Sequence, residues 1–274
     1  MGKSIDVRRL IKSKNPKLLN WLPGFIIRWI ERVIHQDEAN AFFEKHQNSD
    51  EYAFCEGALN HFNLRFTIEG EENIPPHPNK VIFASNHPLG GMDAISIIYL
   101  LKENRRDIKF IVNDLLMAVY PLKDRFVGVN KVGRNAALSL QKVEEQFANG
   151  TATFIFPAGL VSRKIKGKII DLEWKKTFIT KAKKYEIPVL PVHIGGQLTN
   201  RFYRLANFRK FLGIKLNFEM LFLVDELFRQ KNMKINIIVG KPIAPDTFNK
   251  SRSDNEWAKW VKGQVYSLPS SSKA

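Results

Sequence analysis

The chain has 274 residues, long enough for a substantial core in one elaborated domain or two small ones. Its hydrophobic content of 44%, with 16 Gly and 13 Pro, excludes a disordered or fibrous chain. Lys and Arg (43) outnumber Asp and Glu (27) for a net charge of +16, which favours an anionic partner: nucleic acid, an acidic membrane face or an acidic carrier protein.

The opening Met1-Gly-Lys-Ser-Ile-Asp6 lacks the apolar stretch of a secretory signal and the Ser or Thr that N-myristoylation wants at the sixth position. No run approaches the roughly 18 apolar residues that span a bilayer, so a soluble or membrane-surface protein is expected. Residues 1–63 read as a helical segment. Within it, Pro23 stands near a helix start, and Ile26, Trp29, Ile30 and Val33 fall at helical spacing, with Arg28, Glu31 and Arg32 on the other side. This helix either packs on the core or, with Trp and Phe beside Arg, lies at a membrane interface. Cys55 is the only cysteine, which excludes a disulfide framework, argues against a Cys-rich zinc site and fits a reducing compartment.

From residue 64 the pattern changes to β/α alternation. Strands are predicted at Leu64–Glu69, Val81–Ser85, Lys109–Val112, Phe126–Val129, Thr151–Phe156, Pro188–His193 and Lys234–Val239. Helices are predicted between several of them, at Ala94–Arg105, Ala136–Ala148 and Glu173–Tyr185. The fold class is therefore α/β over residues 64–245, a mixed, largely parallel sheet flanked by helices. A C-terminal helix is expected over 246–266 and a frayed tail over 267–274. No internal repeat is visible. Sites in such folds form at the carboxyl ends of strands, where His87, Lys131, Pro157–Arg163 and His193 all fall.

The most informative segment is Val81–Asp93, where an apolar strand pattern enters a Pro/Gly turn that delivers His87 and then Asp93 at a helix mouth. Neutral imidazole takes a hydroxyl proton at small cost near physiological pH, and a neighbouring carboxylate can hold its tautomer and stabilise the imidazolium. Capping the following helix is the competing role for Asp93. Asn86-His87-Pro88 with Gly90-Gly91 favours the chemical reading, because paired glycines let backbone approach a ligand closely. A second candidate, Phe154–Lys164, ends a strand in Pro-Ala-Gly and then offers Ser162, Arg163 and Lys164. Backbone N–H groups after Gly159 beside a cation suit an anionic headgroup or an oxyanion. A tight turn with solvated charges is the alternative. The segment is not a Gly-x-Ser-x-Gly elbow, so a serine hydrolase finds no support. A third segment, Val127–Arg134, offers Lys131 and Arg134 as phosphate or carboxylate ligands without matching a phosphate-binding loop. The basic, aromatic stretches at 163–168 and 201–210 suit base stacking, a lipid interface or simply a solvated face. No acidic ligand cluster accompanies His87, Asp93 and His193, which argues against a metal hydrolase.

These residues carry a family resemblance. Asn86-His-Pro-Leu-Gly-Gly-Met-Asp93 resembles the His-to-Asp signature of the glycerolipid and lysophospholipid acyltransferases. Phe126–Arg134 occupies the place of that family's second, Arg-bearing block; Phe156-Pro-Ala-Gly-Leu-Val-Ser-Arg163 is similar to its Phe-Pro-Glu-Gly-Thr-Arg-Ser block; and Ile187–His193 resembles its final Val-Pro-Val-x-Pro-Val block. The four blocks stand in the correct order across roughly residues 64–245. There are two departures. The family sets four residues between His and Asp, whereas Pro88 to Met92 make five. In the third block Ala158 and Val161 replace the Glu and Arg that would grip a glycerol-phosphate headgroup, which suggests a changed acceptor. The whole chain looks most like the hemolysin-related branch of Bacteroidetes-type bacteria, associated with O-acylation of lyso-glycine or lyso-ornithine lipids.

The resemblance implies a glycerol-phosphate acyltransferase-like fold and an O-acyltransferase on the cytoplasmic face of the bacterial inner membrane. No cofactor is implied; acyl carrier protein or coenzyme A would bring the acyl thioester, and the partners would be a lyso-lipid acceptor and an anionic membrane surface, with no nucleic acid. His87 would be the base and Asp93 its support. Asn86, Lys131, Arg134, Gly159, Ser162 and Arg163 would bind the acceptor. Lysophosphatidate is the conventional alternative acceptor. A catalytically inactive basic protein binding membrane or nucleic acid is the alternative of another class.

Overall fold

The computed structural model describes residues 5–14, 16–113, 116–117, 119–129, 136–214, 217–229 and 231–271. Its centre is a sheet of β1 (Arg65–Glu69), β2 (Val81–Ser85), β3 (Lys109–Asn113), β4 (Phe126–Val129), β5 (Ala152–Ile155), β8 (Val189–Ile194) and β9 (Lys234–Val239). The strand order is β1-β9-β8-β2-β5-β3-β4. Every neighbouring pair is parallel except β8 with β9. A separate antiparallel hairpin joins β6 (Arg163–Ile165) to β7 (Lys168–Ile170).

The middle strand shows why the sequence reads so clearly. Val-Ile-Phe-Ala-Ser in β2 is buried at every position between β8 and β5, so neither face needs polar residues. Phe83 joins Phe110, Phe154 and Leu190 in a core on one face, while Ile82 and Ala84 join Phe178, Trp257 and Val261 on the other. The first core is roofed by α5 (Glu51–His61) and α6 (Gly91–Leu100). The second is covered by α7 (Ala136–Asn149), α8 (Thr177–Tyr185) and α11 (Asp254–Ser271). The rings of Phe83, Phe154 and Phe110 stack at centroid separations of 5.6 and 5.0 Å beneath the carboxyl ends of their strands, a rigid floor for what lies above.

The N-terminal helices are α1 (Val7–Lys14), α2 (Pro16–Trp21), α3 (Gly24–Val33) and α4 (Gln36–Lys45), followed by α5. The expected boundary at residue 63 marks a change of element type and not of core, since Phe54, Cys55, Leu59 and Phe62 belong to the same cluster as the sheet. Beyond β8 come α9 (Asn200–Phe211), a 3-10 turn at Phe218–Phe222 and α10 (Leu223–Arg229).

Several boundaries differ from the sequence expectation. The third-block segment continues into the β6–β7 hairpin, where no strand is predicted because strands this short carry little periodicity. Helix α6 starts at Gly91 instead of Ala94 and stops at Leu100, because Arg105 leaves the helix to bond Pro75 O at 2.7 Å and Asp107. Helix α8 begins at Thr177, since Trp174 turns inward and buries its indole. The C-terminal helix runs from Asp254 to Ser271, so residues 267–271 are helical where a tail was expected. Its Trp257, Ala258, Val261 and Val265 are buried, which anchors it along its length.

Candidate active site

The site lies where β2, β5 and β8 end. Asn86 follows β2 and is held in place by its own carboxamide: Nδ2 donates to Ile194 O at 2.8 Å and Oδ1 accepts from Ile194 N at 2.7 Å. The side chain thus extends the β2–β8 ladder by one rung and sets the direction of the next residue, His87.

His87 is fixed on three sides. Its Nδ1 lies 2.8 Å from Asp93 Oδ2. Its ring stacks on Phe156 with centroids 4.0 Å apart and planes 23° from parallel. Its carbonyl accepts from Ser162 N at 2.8 Å. The chain reverses between the two partners because Gly90 adopts φ 71° and ψ −130°, a combination open essentially to glycine alone. Asp93 then sits in the first turn of α6 but does not cap it. Its Oδ2 also accepts from Leu89 N at 3.0 Å, and it is fully buried.

The electrostatics follow from that burial. Loss of solvent pushes the Asp93 carboxyl above its ordinary value, while the hydrogen bond and charge of His87 and the Leu89 N–H pull it down. Oδ1 is buried and makes no hydrogen bond, which adds to the cost of the charge. An imidazolium beside it relieves that cost, so the pair is built to accept a proton at the ring. With Nδ1 committed to Asp93, Nε2 is the nitrogen left to take it. The His87 side chain keeps 19% of its surface exposed while that of Asp93 keeps none, which suits a base that meets substrate and a carboxylate that does not.

The other expected residues divide. Gly159 turns the third block at φ 67°, directly after β5, and a methyl group there would come within 2.8 Å of Lys175 Nζ. Ser162 is brought to His87, but its side chain and that of Arg163 are both buried and engaged within the protein. Ser162 Oγ donates to Asp171 Oδ1 at 2.6 Å. The Arg163 guanidinium donates to Val161 O at 2.7 Å and to Glu219 Oε1 at 2.9 Å, and lies over the Phe202 ring. Both side chains therefore brace the turn. Lys131 and Arg134 lie outside the described residues. His193 faces Tyr266 edge-on at 5.9 Å, and burial lowers it to about 4. Among the described residues no cluster of His, Cys, Asp and Glu could hold a metal.

Sequence reasoning missed Asp171, Trp174 and Tyr266. They are distant in the chain from His87; the local signal was the Trp of Leu172-Glu-Trp-Lys-Lys176, a segment similar to the hemolysin-related branch that named no partner for it.

The acyltransferase family model matches residues 9–274. The chain belongs to the acyltransferase family. Two curated relatives have the same name: the lyso-glycine lipid O-acyltransferase of Phocaeicola vulgatus is 38% identical over 96% of this chain and 95% of its own. That of Bacteroides thetaiotaomicron is 39% identical over 96% of this chain and 97% of its own. The crystal structure of the 1-acyl-sn-glycerophosphate (LPA) acyltransferase PlsC from Thermotoga maritima covers 80% of this acyltransferase, and the match covers 78% of that chain, with a TM-score of 0.50 and 23% identity. It has the same fold: a mostly parallel sheet between helical layers. The match beginning at residue 9 takes in the N-terminal helices, of which α4 and α5 pack on the core of the sheet.

Proposed function

We propose that this acyltransferase moves a fatty acyl group from a thioester to the 3-hydroxyl of an N-(3-hydroxyacyl) amino-acid lipid of the lyso-glycine kind. The observation that carries the reading is the His87–Asp93 pair, held at 2.8 Å in a chain 38–39% identical to lyso-glycine lipid O-acyltransferases. His87 Nε2 takes the hydroxyl proton as the oxygen forms its bond to the thioester carbonyl carbon. The C–S bond then breaks and the sulfur leaves with the proton from the imidazolium. No acyl-enzyme is needed, so neither a serine elbow nor a reactive cysteine is called for; burial pushes the Cys55 thiol up to about 12.

The acyl donor in this reading is acyl carrier protein or coenzyme A thioester. The Gly159 turn, with Lys131 and Arg134, receives the acceptor's carboxylate, a group that Arg holds with paired hydrogen bonds. The setting is the cytoplasmic face of the inner membrane. Among the described residues no helix is long and apolar enough to cross a bilayer. Trp21, Phe25 and Trp29 are nevertheless 78%, 65% and 48% exposed along α2 and α3, next to exposed Arg28 and Arg32. Aromatics beside cations suit the headgroup level of an anionic leaflet.

A paired transfer assay tests the reading. Wild type and His87→Ala each receive labelled acyl carrier protein or coenzyme A thioester with lyso-glycine lipid, lyso-ornithine lipid or lysophosphatidate, and products are read by mass spectrometry. Turnover of lyso-glycine lipid by wild type alone supports the proposal. Turnover of lysophosphatidate in preference replaces the acceptor; equal turnover by both proteins removes His87 as the base.

A further inference from the structure

The His87 side chain has its partner in Asp93, but its backbone is held from elsewhere. Asp171, the residue after β7, is 1% exposed. Its Oδ1 accepts from Ser162 Oγ at 2.6 Å and from the backbone N of His87 at 3.3 Å. Ser162 N in turn donates to His87 O at 2.8 Å. The three residues therefore close a ring in which both backbone groups of His87 are occupied, its N–H by Asp171 and its C=O by Ser162.

Asp171 is itself anchored on every polar atom. Trp174 Nε1 donates to Oδ2 at 2.8 Å. The Asp171 N–H donates to Tyr266 Oη at 2.7 Å, and its carbonyl accepts from Lys262 Nζ at 2.6 Å. Tyr266 and Lys262 stand on α11, so that helix is tied to the catalytic loop at this residue. Burial raises Tyr266, which keeps its phenol protonated, and lowers Lys262 from its ordinary value.

We propose that Asp171 is a positioning residue: it clamps the backbone of His87, through Ser162 and directly, so that the ring meets both Asp93 and the substrate hydroxyl at reacting distance. The inference rests on the His87 reading above. A buried carboxylate accepting three donors is a stiff node, because each bond is charge-assisted and shielded from water. Its partners come from β2's exit, the third block, the loop before α8, and α11. Loss of such a clamp lets the ring shift, and a misplacement of about 1 Å at a reacting group can cost about 10²-fold.

The test compares Asp171→Ala with Asp171→Asn, which retains one acceptor oxygen, and with Ser162→Ala, which removes one arm only. In Asp171→Ala, kcat falls roughly 10- to 100-fold while KM for donor and acceptor stays within about twofold. Asp171→Asn and Ser162→Ala fall between it and wild type. In parallel, the Nδ1 proton of His87 is observed by NMR in histidine-labelled protein. Its resonance weakens or moves in each Asp171 variant, a readout that needs no turnover and stands even if the acceptor assignment fails. If Asp171→Ala does not fold, the other two variants carry the test. Unchanged kcat and unchanged Nδ1 resonance in folded Asp171→Asn and Ser162→Ala overturn the proposal. So does a KM rise at constant kcat, which assigns the residue to substrate binding.

Discussion

His87 Nδ1 and Asp93 Oδ2 stand 2.8 Å apart across five intervening residues, with the second partner already inside a helix. Gly90 makes this possible by taking the chain through a positive φ, so that Leu89 N–H and the imidazole converge on one carboxylate oxygen. Asp93→Asn is expected to lower kcat by roughly 10²- to 10⁴-fold, because an amide no longer fixes the tautomer or balances the imidazolium. KM for the thioester should hold. A drop of less than about tenfold would mean that Asp93 only stiffens the turn.

Gly90→Ala tests the turn itself. A Cβ at Gly90 would find Val161 Cγ1 at 3.5 Å, an ordinary contact, so space does not forbid it. The backbone does: an L side chain at this φ and ψ costs about 1–3 kcal/mol. The expected result is a lower melting temperature and a fall in kcat larger than the loss of folded protein explains. Gly91→Ala is the control, since nothing lies within 4 Å of its Cβ position.

The buried ion pair of Arg163 and Glu219 predicts a stability effect. Removing the Arg163 guanidinium leaves the unexposed Glu219 carboxylate with Arg209 as its remaining ion-pair partner, so Arg163→Ala should destabilise by about 1–3 kcal/mol. The double change Arg163→Met/Glu219→Leu should recover much of that loss. Urea midpoints of the single and double variants decide it; a selective rise in acceptor KM at unchanged stability would instead return Arg163 to the binding site.

His193 predicts a pH dependence. Burial lowers it from 6.5 to about 4, so between those values the unfolded chain binds a proton that the folded chain refuses. Stability therefore declines as pH falls from 6.5 towards 4, and this contribution is fully present only above that window. His193→Gln should flatten the decline, as read from urea midpoints in a pH series. An unaltered slope would place the responsible group elsewhere.

Serine at Trp21, Phe25 and Trp29 together should weaken binding to anionic vesicles without lowering turnover of detergent-dispersed substrate. The expected affinity loss is of the order of 1–3 kcal/mol for each aromatic that is buried in the interface. Added salt should weaken the wild type further, since the exposed Arg28 and Arg32 act through a screened field. Equal vesicle binding by both proteins would show that α2 and α3 do not face lipid.

Sequence alone determined the elements whose signal is local. The strands Val81–Ser85, Phe126–Val129 and Lys234–Val239 were legible to the residue because runs of apolar and β-branched side chains leave few other conformations that bury them. His87 and Asp93 were legible as a pair because a strand end, a Gly-Gly turn and a helix start are all written within thirteen residues, 81 to 93. Tertiary structure decided what each polar side chain is free to do. Ser162 and Arg163 were read as ligands because a cation after a glycine turn looks available; Asp171, nine residues on, and Glu219, 56 residues on, engage them. Asp171 meets His87 across 84 residues and Tyr266 across 95. Hydrogen-bond partners at such separations leave no period or spacing in the chain, because they are set by where the sheet and α11 bring backbone together and not by any local preference.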